Sequence, residues 1–288
     1  MNTLRKHGIA YFLLALAVAT GMVWYAIFIF DARHRLRLTV FDIGQGDSIF
    51  IQAENDTQVL IDGGPSSAVL GKLGSVMPFW DRSIDLIVLT HPHVDHVTGL
   101  VEVLKRYDVG MVLESDVNYS TPEYREWHTL LQQKHIPVVI ARAGQKIHLS
   151  PKTELDILTP FKSFVGVSLT NVHDAMVVSK LIYASSSVML MGDAEKPLEY
   201  QLLLSGDDLK SDILKTGHHG SKTSTMPDFV AAVSPNYAVI SVGRKNRYGH
   251  PHQQTLDTLA KFGIKTFRTD LDGDAEFVSD GKRFEKVQ

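Results

Sequence analysis

The sequence predicts an α/β fold, with one domain over residues 35–288 behind a separate apolar segment over residues 1–34. Three observations carry this. Short β-branched runs bounded by glycine or proline alternate with helix-period segments from Leu36 onward. No repeat, low-complexity tract or Pro/Gly-rich linker divides that region, so its two strand-rich halves read as one domain. With 44% hydrophobic and 21% charged residues in 288, the chain can bury a sizeable core.

Taken in order, the chain begins with twenty-two uncharged residues from Ile9 to Phe30. About 20 apolar residues span a bilayer as a helix. Arg5 and Lys6 followed by Ala17-Val18-Ala19 would also suit a cleaved signal peptide, which would leave a secreted protein. The apolar run continues past Ala19 through Trp24-Tyr25-Ala26-Ile27-Phe28-Ile29-Phe30, longer than a signal sequence needs, so a single-pass membrane anchor over residues 9–30 is expected. Basic residues flank it on both sides (Arg5 and Lys6 against Arg33, Arg35 and Arg37), so the charge rule does not orient it.

Leu36 to Phe41 alternates as a half-buried strand and runs into the glycine turn Asp42-Ile43-Gly44-Gln45-Gly46-Asp47-Ser48. Ile49–Ile51 and Val59–Ile61 read as paired strands, the second ending at Asp62-Gly63-Gly64. Ile84 to Leu89 is a buried strand, and Leu100, Val103, Leu104 and Tyr107 repeat at helical spacing just after it. Strands follow at 110–113 and 137–141, with a helix from Pro122 to Lys134 between them. His128, His135 and His148 read as helix-surface or loop residues. Further strands are expected at 175–183, 187–191, 237–242, 265–267 and 276–278, and helices at 198–204 and 253–262.

Between strand 84–89 and its helix stands Thr90-His91-Pro92-His93-Val94-Asp95-His96, with three histidines and an aspartate within six residues. Imidazole with carboxylate suits a borderline divalent ion such as Zn²⁺. His91 and His93 project to one side of such a turn, Asp95 and His96 elsewhere, which suggests two metal positions side by side. His173 precedes one later strand and Asp193 ends the next; a hairpin would bring both to one sheet edge. Asp62, at a strand end before a glycine turn, could orient a ligand histidine. The net charge of −3 gives no sign of an extended nucleic-acid-gripping surface, and the absence of cysteine excludes disulfides and thiolate metal sites.

The ordered series Asp62, His91-x-His93-x-Asp95-His96, His173, Asp193 and His218/His219 resembles the five motifs of the metallo-β-lactamase superfamily. More narrowly, Phe41–Ser48, Leu190-Met191-Gly192-Asp193, Gly217-His218-His219-Gly220-Ser221, Gly249-His250-Pro251 and Phe267-Arg268-Thr269-Asp270 look like the soluble domain of the ComEC competence-protein family. The resemblance implies an αββα sandwich with two divalent ions at one edge, Zn²⁺ first and Mn²⁺ as the alternative. It implies His91, His93 and His173 on one ion, and Asp95, His96 and a histidine of the 218/219 pair on the other. His218 is the preferred ligand of that pair and His219 its alternative. Asp193 bridges the two ions and Asp62 supports from behind. Asp95 and His250 are candidates for moving protons, and Lys222, Arg244 and Arg247 for touching a phosphate. Two departures stand out: ComEC-type domains commonly carry aspartate where His93 stands, and that family also has a multi-helix membrane channel, whereas this chain has at most one span.

Ions in such a site lower the pKa of a bound water from about 15.7 toward 7. The expectation is therefore a membrane-anchored phosphodiesterase or nuclease on the outer side of the membrane, acting on single-stranded DNA in uptake or processing. A hydrolase of a small ester, lactam or thioester would use the same ligands. A non-catalytic binding module of an envelope or DNA-uptake assembly is the third possibility, and it does not explain why every ligand is present.

Overall fold

A computed structural model describes residues 2–33 and 35–287, with side chains in the first segment described for His7 and residues 11–25. The chain divides into two compact units, residues 1–35 and 36–288. The first is a single helix, α1 (Asn2–Arg33), apolar all round over residues 11–25. Among the described residues, no helix is long and apolar enough to cross a membrane. The anchor expected over residues 9–30 falls partly on side chains (9, 10 and 26–30) outside those described.

The second unit runs β1 (Leu36–Val40), β2 (Ile49–Gln52), β3 (Gln58–Ile61), α2 (Ala68–Val76), β4 (Ser83–Val88), α3 (Val94–Arg106), β5 (Asp108–Glu114), α4 (Pro122–Gln133) and β6 (Val138–Ile140). It continues with β7 (Lys146–His148), β8 (Thr153–Ile157), β9 (Ser179–Tyr183), β10 (Ser186–Leu190), α5 (Lys196–Ser205), β11 (Ile213–Lys215), α6 (Pro227–Val233) and β12 (Tyr237–Ile240). It closes with α7 (Gln253–Lys261), β13 (Lys265–Arg268), α8 (Thr269–Asp272), β14 (Ala275–Ser279) and β15 (Phe284–Lys286). One sheet has the order β15-β14-β1-β2-β3-β4-β5-β6 and the other β13-β12-β11-β10-β9-β8-β7.

The strands explain why the sheets pack face to face. Successive side chains point to opposite faces, and here both faces are apolar. Leu38 and Val40 of β1, Ile49 and Ile51 of β2, Leu86 and Val88 of β4, and Val188 and Leu190 of β10 fill one core between the sheets. Phe50, Leu60 and Ile87 point the other way, onto α2, α3 and α4 with Leu73, Leu100, Leu104 and Trp127. Met189, Leu214 and Ala238 do the same beneath α5, α6 and α7. Each Val, Leu, Ile, Phe or Met among them contributes roughly 1.5–3 kcal/mol on burial, and the layers are helix, sheet, sheet, helix.

Two features aim the sheets at the site. β3, β4 and β5 are parallel, so Asp62, Thr90 and Glu114 leave the sheet at the same edge. α3 then lies tightly against the turn after β3: the N–H of Gly63 donates to His96 O (2.8 Å) and that of Gly99 to Gly64 O (2.9 Å). A Cβ on Gly99 would be driven into the carbonyl of Gly63, so this approach, which seats His96 over Asp62, requires glycine on both sides.

Candidate metal centre

The site is built at the edge where β4 and β10 end. His93 sits at the N-cap of α3, and Asp95 and His96 occupy its first turn, where the helix dipole favours a carboxylate. His173 is held in the short turn Val172–Ala175, whose cap Asn171 accepts from the His173 N–H (3.2 Å). β9 and β10 pair antiparallel with Ser179 opposite Leu190, so His173 and Asp193 do share one sheet edge.

Two groups of side chains meet there, each with its ligand-type atoms within 4.8 Å of one another: His91, His93, His173 and Asp193; and Asp95, His96, Asp193 and His219. Asp193 belongs to both. Its Oδ2 lies 3.8 Å from His91 Nε2 and 3.4 Å from His96 Nε2, and its Oδ1 lies 3.4 Å from His219 Nε2. His219 Nε2 is also 3.4 Å from Asp95 Oδ2.

His219, not the preferred His218, therefore completes the second group. Both residues adopt left-handed backbone (φ 47° and 53°), and the turn sends their rings apart. His219 is buried, with Nδ1 3.0 Å from Ser241 O. His218 is partly exposed and faces Glu195, with Nδ1 3.2 Å from Oε1; it forms a third cluster with Glu195 and His173.

The atoms aimed inward lack partners. His96 Nε2, His173 Nε2, His219 Nε2 and Asp193 Oδ1 are buried without a hydrogen bond. Each outer nitrogen is already engaged where it fixes the ring. His96 Nδ1 donates to Asp62 Oδ2 (2.7 Å), and His219 Nδ1 donates to the Ser241 carbonyl, which leaves both Nε2 atoms turned inward. Asp62 is itself fixed, accepting from the Thr90 N–H (2.9 Å) and hydroxyl (2.6 Å). His91 Nε2 faces His93 Nδ1 at 2.9 Å.

The electrostatics ask for positive charge. Against the cost of burial, His219 and His96 hold Asp193 well below the usual carboxylate range. Burial likewise opposes protonating His219, yet Asp193, Asp47 and Asp95 push it up to about 10. His91, by contrast, is driven well below its ordinary value by burial and then by His96, and stands neutral. Converging imidazoles, a shared carboxylate and orphaned inner atoms fit divalent cations in chemistry and in number.

The pattern of the metallo-beta-lactamase superfamily matches residues 41–244. The chain belongs to that superfamily. Among similar proteins are ComE operon protein 3 of Bacillus subtilis (28% identical over 255 residues; 83% of this chain, 32% of that protein) and competence protein ComA of Neisseria gonorrhoeae (29% over 243 residues; 83% and 32%). The chain thus spans about a third of the length of the curated relatives it matches. Among solved structures, the metallo hydrolase Igni18 of Ignicoccus hospitalis shares the fold, with a TM-score of 0.55 and 14% identity over 84% of this chain and 98% of that one.

Around this metallo-beta-lactamase edge stand the other expected residues. His250 is half-buried, its ring 5.6 Å from that of His218 and stacked on exposed Tyr248 at 5.7 Å; its Nδ1 has no partner. Burial, then His219 and His218, lower it to about 4. Lys222, Arg244 and Arg247 are exposed. Arg244 donates to Asp270 O (3.0 Å), and Arg247 lies over Tyr248 at 5.3 Å. Two carboxylates of the site, Asp47 and Glu195, escaped the sequence reading. Asp47 and Lys215 form a fully buried ion pair (2.8 Å) behind His219, so this lysine, although it lies three residues before His218 in sequence, does not face the surface. Glu195 braces His218 and lies 3.6 Å from His173. Asp47 stands 168 residues from Lys215, so no local spacing announced the pair.

Proposed function

We propose that this chain is a dinuclear metal-dependent hydrolase that cleaves phosphodiesters, with single-stranded DNA as its substrate. The observation that carries the reading is Asp193 standing between two clusters whose inner atoms have no other partner. In this reading His91, His93 and His173 hold one ion, Asp95, His96 and His219 the other, and Asp193 both; Zn²⁺ suits the imidazole-rich set and Mn²⁺ the carboxylates. When bound, such a pair of ions polarises the scissile oxygen and lowers the pKa of a coordinated water.

The chain's own groups do the rest. Asp62 and the Ser241 carbonyl lock His96 and His219 in one tautomer, so neither ring turns when substrate arrives. Asp95, partly open to solvent, can accept a proton on its outer oxygen. His250, at the rim with an unpartnered Nδ1 and held neutral by burial and by its neighbours, is placed to accept a proton. Lys222, Arg244 and Arg247 supply positive charge for a phosphate-bearing strand. Support for DNA comes from the similarity to proteins named for competence; support for a membrane anchor comes from the twenty-two uncharged residues of 9–30, and an extracytoplasmic hydrolase is the orientation proposed with it.

The test uses the purified full chain with Zn²⁺ or Mn²⁺, offered single-stranded DNA, a chromogenic phosphodiester and a β-lactam. DNA cleavage that disappears with a chelator and in Asp193→Ala supports the proposal. Replacing Lys222, Arg244 and Arg247 together by alanine should raise KM for DNA while leaving turnover of the small phosphodiester unchanged. Activity on small substrates alone would rule out DNA and leave a small-molecule hydrolase.

A further inference from the structure

A second cluster of ligand-type side chains lies away from Asp193. The groove beside β5, β6 and α4, about 550 Å³ in volume, is lined by Glu114, Asp116, His128, Gln132 and His135 together with apolar residues. Glu114 is the last residue of β5 and only 1% exposed. Its Oε2 accepts from Trp127 Nε1 (3.0 Å) and from the Tyr124 hydroxyl (3.5 Å). Its Oε1 is buried without a hydrogen-bond partner. What faces that oxygen is His128 Nδ1 at 3.8 Å, and the other side of the same ring, Nε2, lies 3.9 Å from Asp116 Oδ1.

These separations are too long for hydrogen bonds. The Glu114 Oε1–His128 Nδ1 separation suits a shared cation, since ligand atoms each about 2.0–2.2 Å from a metal stand about 3–4 Å apart; Asp116 faces the ring's other nitrogen, and a single ion takes only one nitrogen of the ring. One ligand-type atom from each of Glu114, Asp116 and His128 falls within 4.8 Å of the others. We propose that Glu114, Asp116 and His128 bind a third divalent cation, of the Zn²⁺ or Mn²⁺ type, separate from the Asp193-centred pair. Two carboxylates and an imidazole select such ions over Ca²⁺ or Mg²⁺, which prefer oxygen alone. The Trp127 indole serves the site from behind, holding Oε2 so that Oε1 stays turned toward the groove. A bound cation would tie the end of β5 to α4. From there an aromatic file, His128 to Tyr124 (4.5 Å), Tyr124 to Tyr119 (6.3 Å) and Tyr119 to His93 (5.8 Å), reaches the main site.

The experiment is equilibrium dialysis of the chelator-stripped full chain against Zn²⁺ and, separately, Mn²⁺. It compares the unaltered chain with Asp116→Asn/His128→Gln, a double variant that leaves buried Glu114 in place. The unaltered chain should bind one equivalent more than the double variant, and Asp193→Ala should retain that extra equivalent. Trp127→Phe should weaken it by about tenfold or more, and Zn²⁺ should shift the His128 imidazole resonances in the NMR spectrum. Equal equivalents in the unaltered chain and the double variant, with unmoved His128 resonances, would overturn the proposal.

Discussion

Asp62 shows how much one side chain settles. Its carboxylate accepts from Thr90 twice and from His96 Nδ1 once, so an amide in its place must set an N–H against one of those donors. Asp62→Asn should therefore lower metal affinity 10- to 100-fold while the chain stays folded, as read by metal titration alongside circular dichroism. A second residue-scale prediction concerns pH. Glu199 is buried and accepts from the N–H groups of Thr225 (2.6 Å) and Met226 (2.8 Å), yet burial outweighs both and lifts it from 4.5 to about 7. Its folded value lies above its unfolded one, so the folded chain binds this proton more tightly. The stability it contributes is complete below pH 4.5 and lost as pH rises to about 7, a change on the order of 3 kcal/mol. Urea midpoints between pH 5 and 8 should fall more steeply in the natural chain than in Glu199→Gln; parallel profiles would contradict this. At the same scale lies the one position where the sequence preference, His218, differs from the geometry, which groups His219 with Asp95, His96 and Asp193. His218 and His219 are adjacent and chemically equal, and only the left-handed turn, with Ser241 O waiting for one ring, separates them.

Elements were more legible than residues. Apolar β-branched runs announced β4 and β10, and Pro122 marked the first turn of α4, because burial on both sheet faces and a fixed φ leave direct traces in sequence. The hairpin of β7 and β8 left none. Lys146, His148, Glu154 and Asp156 place charge along it, with Lys146 bridging Glu154 and Asp156, and charged positions do not mark a strand. α2 was also missed, since Gly71 and Gly74 interrupt its helical pattern. Those two glycines have open space around them, whereas Gly99 does not. Gly74→Ala should stabilise the chain by about 0.5–1 kcal/mol. Gly99→Ala should cost about 3 kcal/mol or more, by forcing α3 off the Gly63 turn, and should weaken metal binding because His96 moves with the helix. Urea unfolding of both variants checks the contrast.

At the scale of the whole molecule, the sandwich concentrates opposed charges at one edge. Asp47, Asp62 and Asp193 are buried there, and among the described residues beside them Lys215 is the buried lysine that answers Asp47. Cations that bind the folded chain and not the unfolded one stabilise it by mass action, about 2.7 kcal/mol at a hundredfold excess over Kd. A chelator should thus lower Tm, and the drop should shrink in Asp193→Ala. The central claim, that Asp193 joins two metal positions completed by His219, is tested most directly by counting tightly bound Zn²⁺ or Mn²⁺ per folded chain in matched variants. Relative to the natural chain, His219→Ala should lose one equivalent, Asp193→Ala at least one, and His218→Ala none. Unchanged metal in His219→Ala, or a lost equivalent in His218→Ala with His219→Ala intact, would contradict the account.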